Sequence, residues 1–200
     1  RYDPSRPGGP AATFLAEWAG LELLTERGGE SLVAPRFYGG DASEGVLVME
    51  DLGTGQRLDH ALLGDDPDAA VAALNALTGT LARMHAQTAP ATQRYSQLRN
   101  ALGPTARGEL RHNMPTTRGR WFASVSERVA LNPARGFHAE MNALRQRWNH
   151  ADEALCYVHF DPCPDNCHWV GGELRLLDFE SGKLAPWGVD AAYARIHFPT

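Results

Sequence analysis

Two hundred residues, 43% hydrophobic and 22% charged, suffice for one sizeable core or two small lobes and mark a globular chain. A net charge of −5 without a recognised nucleic-acid motif argues against a nucleic-acid partner. No apolar run reaches the length of a membrane span and no signal-peptide pattern opens the chain, so a cytoplasmic protein without membrane contact is expected.

Gly8-Gly9 lies between Pro7 and Pro10 with no GK[ST] after it, so it reads as a turn and not as a phosphate cradle. From Pro10 to about Arg27 the pattern is helical, because proline suits a first turn and Gly28-Gly29 suits an exit. Phe14, Trp18, Leu21 and Leu24 share one face. Glu17 falls on that face, where an unpaired carboxylate is costly and a cation is expected. Glu22 borders the same stripe, so periodicity alone does not choose between the two, and a solvated helix glutamate is the plain alternative. Leu32 to Tyr38 and Gly45 to Glu50 read as antiparallel strands joined by Gly39-Gly40-Asp41, followed by the strand exit Met49 to Gly53.

Asp66-Pro67 reads as the N-cap and first residue of a helix that carries Val71, Leu74, Leu77, Leu81 and Met84 at helical spacing. His85, near its end, reads as a satisfied core or surface histidine. From Ala91 to His150 no strand pattern occurs, and loop-like patches such as Gly103-Pro104 alternate with helical ones such as Gly136 to Trp148. Ten arginines stand against Glu109, Glu127 and Glu140 in that segment, a local excess of +7 within an acidic chain.

Chemistry concentrates between Tyr157 and Glu180. The apolar run Leu155 to Val158 reads as a strand delivering His159 and Asp161 into a proline-broken loop. Cys167 to Val170 and Glu173 to Leu177 read as two strands turned by Gly171-Gly172, the second leading to Asp178. Asp161, Asn166 and Asp178 are the groups phosphoryl transfer needs: a carboxylate to orient and deprotonate a hydroxyl, and an amide oxygen with a second carboxylate to hold Mg²⁺. With His159 and Phe179 they follow the order and spacing of H-R-D-x-x-x-x-N and D-F-G, with Phe160 in place of Arg and Glu180 in place of Gly. Turn chemistry alone explains Asp165 beside Pro164. A zinc site of Cys163, Cys167 and His168, with Cys156 or His159, lacks the short CxxC knuckle. Three cysteines cannot all pair internally, so reduced, buried thiols explain them better.

HFDPCPDN and LLDFES resemble the catalytic and metal motifs of the aminoglycoside phosphotransferase and choline kinase-like superfamily, where the loop usually reads H-G-D-x-x-x-x-N. Phe160 replaces the usual small residue. The resemblance implies a two-lobed protein kinase-like α+β fold, with residues 1–52 as a partial small lobe and residues 53–200 as a mostly helical large lobe. It implies Asp161 as catalytic base, Asn166 and Asp178 as Mg²⁺ ligands, and Asp190 as a structural acid. Glu17 would pair with a phosphate-binding lysine, and the backbone at Glu50 and Leu52 would meet the adenine of ATP, with a plain strand exit as the alternative there. Arg1 to Pro4 would follow the lysine-bearing strand, so that strand and the nucleotide loop are expected upstream of Arg1, and further helices after Thr200.

The implied function is ATP- and Mg²⁺-dependent phosphorylation of a hydroxyl on a small molecule. A catalytically weak, nucleotide-binding regulator is the alternative, kept open by Phe160 and Glu180. The arginine-rich segment suits a neutral or anionic acceptor better than a polycationic aminoglycoside. Its arginines lying on solvated helix faces, or pairing with acids elsewhere, is the competing account.

Overall fold

Pro10 opens helix α1 (Pro10–Gly28), and Gly29 at φ 55° ends it. The computed structural model describes residues 10–103, 105, 110–111 and 114–197. The expectations for Arg1 to Pro4, for Gly8-Gly9 and for Pro104 lie outside them. Leu15, Ala16, Ala19, Leu21, Leu23 and Leu24 bury one side of α1. Trp18 sets its ring against Phe14 and Phe37, and its indole N–H donates to Glu22, which leaves Glu17 as the glutamate facing inward.

Strands β1 (Phe37–Asp41) and β2 (Val46–Met49) form an antiparallel hairpin, with Phe37 opposite Met49 and Asp41 opposite Val46. This corrects the expected strand from Leu32 to Tyr38. Leu32, Val33 and Ala34 are apolar because they are buried in the core as irregular chain, where the Val33 carbonyl accepts the Leu176 N–H. Gly39 and Gly40 belong to the strand and not to the turn. A Cβ at Gly40 would meet the Val46 carbonyl oxygen at 2.3 Å and the Trp18 ring at 2.9 Å, so the position admits only glycine. The turn lies one step later, where Asp41 Oδ1 accepts the Ser43 and Glu44 amides.

Helix α2 (Leu58–Leu62) precedes α3 (Pro67–Thr88), which Asp66 caps by accepting the amides of Asp68 and Ala69. The buried face of α3 runs through Ala73, Leu77, Thr80, Leu81, Met84 and Thr88. Val71, expected on that face, is 58% exposed, because at about 100° per residue it lies roughly 160° round the helix from the buried Ala73. Thr88 stitches the helix end to the following sheet: its hydroxyl donates to the Met84 carbonyl and accepts the Tyr157 N–H.

Helices α4 (Thr92–Ala101), α5 (Met114–Arg128) and α6 (Phe137–Asn149) occupy the arginine-rich segment, with α5 and α6 joined by Phe122 against Phe137. Arg94 pairs with Glu26 of α1, and Arg111 with Asp152, so part of the positive excess is answered by acids outside the segment. Strand β3 (Leu155–Val158) pairs antiparallel with β6 (Lys183–Pro186), and β4 (Cys167–Val170) pairs with β5 (Glu173–Leu176) across Gly171-Gly172, both at positive φ. Strand β6 and helix α7 (Gly188–His197) carried no prediction.

β3 is apolar throughout because both its faces are covered. Tyr157 enters the main core with α1, α3, α4, β4 and β5, while Cys156 and Val158 point into a second cluster with Trp148, Ala185 and Val189. The strand's end is thereby held between two cores, and the loop with His159 and Asp161 starts from it.

Candidate active site

His159, the first residue beyond β3, is fully buried. Its Nε2–H donates to the Leu177 carbonyl at 2.8 Å, and its Nδ1 accepts the Asp161 N–H at 3.3 Å. A donor on one side and an acceptor on the other select the neutral Nε2–H tautomer. Burial pushes the imidazole below its ordinary value of 6.5, against the opposing pull of Asp190, the Leu177 carbonyl, Asp161 and Asp178. The ring is therefore a tie between the loop carrying Asp161 and the strand exit carrying Asp178.

Asp190, at 0% exposure, takes three hydrogen bonds. Oδ2 accepts the His159 N–H and meets His85 Nε2 at 2.8 Å, and Oδ1 accepts the Phe160 N–H at 2.9 Å. His85 is thus a satisfied histidine whose partner lies 105 residues away. Phe160 sits at φ 70°, a left-handed conformation that disfavours a bulky side chain. A small residue would be the easy choice here. The ring of Phe160 instead packs against the second cluster.

Asp161, Asn166 and Asp178 are drawn together by the backbone. Asn166 Nδ2 donates to the Asp161 carbonyl at 3.2 Å, while the Asn166 carbonyl accepts the Leu177 N–H at 2.8 Å, immediately before Asp178. The Cys163 amide also closes on the Asp161 carbonyl at 2.8 Å. Asp178 is exposed and, like Phe160, left-handed, at φ 62°. Asp161 Oδ1 accepts hydrogen bonds from the Tyr193 hydroxyl at 2.7 Å and from the Cys163 thiol at 2.9 Å. Neither Tyr193 nor the thiol's part in this contact was read from the sequence. A tyrosine three positions after Asp190 on one helix face was the available signal. Burial pushes both groups up, helped at Tyr193 by its bonds to Cys163 and Asp161 and at Cys163 by its bond to Asp161, so both remain protonated donors at neutral pH.

Glu17 reaches this region from α1 and accepts the Phe179 N–H. Burial raises its carboxyl above the ordinary 4.5, Asp178 and Glu180 raise it further, and only the Phe179 amide opposes them. Glu50 turns toward the hairpin: Oε2 accepts the Arg36 N–H and lies 3.6 Å from Arg175 Nη1, while the Glu50 amide donates to the Arg36 carbonyl. Leu52 follows, half-buried, before Gly53 at φ 69°.

The donors present suit Mg²⁺. Asn166 Nδ2 is held by the Asp161 carbonyl, and an amide oxygen such as that of Asn166 and a carboxylate such as that of Asp178 are the hard oxygen ligands that ion takes. Among the described residues no three His, Cys, Asp or Glu side chains converge on a metal-sized site. The three cysteines are free thiols, and burial pushes Cys156 and Cys167 up to about 12. No helix is long and apolar enough to cross a membrane among the described residues.

The family model described as "Phosphotransferase enzyme family" (APH) matches residues 3–200. No curated protein matches the chain. The mixed α+β architecture, with small antiparallel sheets and several helices, accords with the kinase-like fold expected from the sequence.

Proposed function

The chain belongs to the phosphotransferase enzyme family, and from that premise we propose that it transfers the γ-phosphoryl group of ATP to a hydroxyl of a small molecule. The observation that carries the reading is the tie of Asp161, Asn166 and Asp178 through His159, the Leu177 backbone and the Asn166 amide. Asp161 orients the acceptor hydroxyl and takes its proton. The Asn166 side-chain oxygen and the Asp178 carboxylate hold Mg²⁺, which when bound neutralises charge on the phosphates. Asp178 and Glu180 both raise the Glu17 carboxyl, a repulsion that a cation between the helix and the strand exit would relieve. The carbonyl of Glu50 and the backbone of Leu52 face the adenine edge at the boundary between residues 1–52 and 53–200. The positive excess of the segment from Ala91 to His150, where Arg120, His138 and Arg145 line a cleft of about 240 Å³ between α5 and α6, favours a neutral or anionic acceptor over a polycation.

The test is turnover of the full-length protein with Mg·ATP and a panel of aminoglycosides and of neutral and anionic hydroxyl compounds. Asp161→Asn should lower kcat by roughly 10²–10⁴ while nucleotide affinity survives. Turnover untouched by that substitution refutes the assignment, and binding without turnover in the wild type favours a regulator.

A further inference from the structure

We propose that Tyr193 is a positioning residue for Asp161, holding the carboxylate at the angle the acceptor hydroxyl must meet. This rests on Asp161 being the base. The Tyr193 hydroxyl donates to Asp161 Oδ1 at 2.7 Å, the Cys163 thiol donates to the same oxygen at 2.9 Å, and the hydroxyl and thiol touch each other. Two donors converging on one carboxylate oxygen restrict rotation about the last side-chain bond, which a single hydrogen bond would leave free to swing. Tyr193 also comes from a defined place. It lies three residues after Asp190 on α7, hence on the same helix face, and Asp190 grips the His159 and Phe160 amides just before Asp161. One helix face therefore holds the loop twice, by its backbone and by its reacting side chain. Positioning of this kind acts on the chemical step, because a misplaced base costs rate without costing affinity.

The experiment compares the full-length wild type with Tyr193→Phe, Cys163→Ala, Cys163→Ser and Asp161→Asn. Tyr193→Phe removes one oxygen and should lower kcat about tenfold with KM for ATP and acceptor and the melting temperature unchanged. Cys163→Ala should lower kcat as well, and Cys163→Ser, which restores a donor, should recover it. Unchanged kcat in Tyr193→Phe, or a loss that tracks KM or melting temperature, overturns the proposal. Should Asp161→Asn itself keep full activity, the functional reading fails instead. A readout free of turnover separates the two: in crystals of the unliganded protein, Tyr193→Phe should leave the Asp161 carboxylate rotated or in two orientations. One unchanged orientation in that variant refutes the positioning role whatever the enzyme does.

Discussion

Asp190 Oδ1 accepts the backbone N–H of Phe160 at 2.9 Å, and this bond fastens a bulky residue in a left-handed conformation, at φ 70°. The same carboxylate, like His159 fully buried, also takes the His159 amide and the part-buried His85. Asp190→Ala leaves these groups buried without their acceptor and should destabilise the protein by roughly 3–5 kcal/mol. Urea unfolding checks this. A loss below about 1 kcal/mol would mean that water replaces the carboxylate at little cost.

Phe160 separates backbone strain from packing. Phe160→Ala and Phe160→Gly both delete the ring from the cluster around Trp148 and Val189, but only glycine is at ease at φ 70°. The glycine variant should therefore be the more stable of the two by about 1 kcal/mol, opposite to the usual order of alanine and glycine. Denaturation midpoints of the pair decide it, and the usual order would show that the loop relaxes to another conformation.

Tyr157 is buried between α1 and the Gly182 turn, and its hydroxyl has no hydrogen-bond partner among the described residues. A Cβ at Gly20 or Gly182 would stand 1.9 or 2.0 Å from that oxygen. Tyr157→Phe removes a buried, unsatisfied polar atom and should stabilise the fold by about 1 kcal/mol, read as a higher melting temperature. Gly20→Ala should destabilise the wild type and do less harm in the Tyr157→Phe background, a coupling that a double-mutant cycle measures. Strict additivity of the two changes would contradict this packing.

Glu17 makes stability depend on pH with a defined sign. Its folded-state carboxyl is raised above 4.5 by burial and then by Asp178, so the folded chain holds that proton more tightly than the unfolded chain does. The stabilisation is fully present below 4.5 and is lost as pH rises through the folded value. Glu17→Gln, which keeps an acceptor for the Phe179 amide, should therefore raise the melting temperature of residues 1–200 at pH 7.5, with the advantage vanishing at pH 4. Equal melting curves for the two proteins at pH 7.5 would falsify this account of Glu17.

Local chemistry made several features legible before any tertiary contact was known. Asp66-Pro67 starts α3 because a carboxylate can accept the two amides next to it, and Gly171-Gly172 turns β4 into β5 because both residues must take positive φ. Such signals need only a few neighbouring residues. The strand expected from Leu32 failed for the opposite reason: an apolar run records burial, and burial beneath β5 leaves Leu32 to Ala34 looking as a strand would. Val71 shows a related ambiguity, since apolar residues linked by successive three-residue steps drift round a helix and away from the face that is buried.

By itself the sequence determined the order His159, Asp161, Asn166, Asp178, the loop and hairpin that space them, and the oxygen-donor chemistry they offer, because each depends on residue type and short-range backbone geometry. Only the tertiary structure decided that Asp190 and His85 meet across 105 residues, that Glu17 comes to the Phe179 amide, and that Tyr193 and Cys163 share one oxygen of Asp161. Those pairings arise where two cores press β3, α3 and α7 together. Packing of distant elements chooses such partners, and no local pattern encodes which distant side chain will arrive.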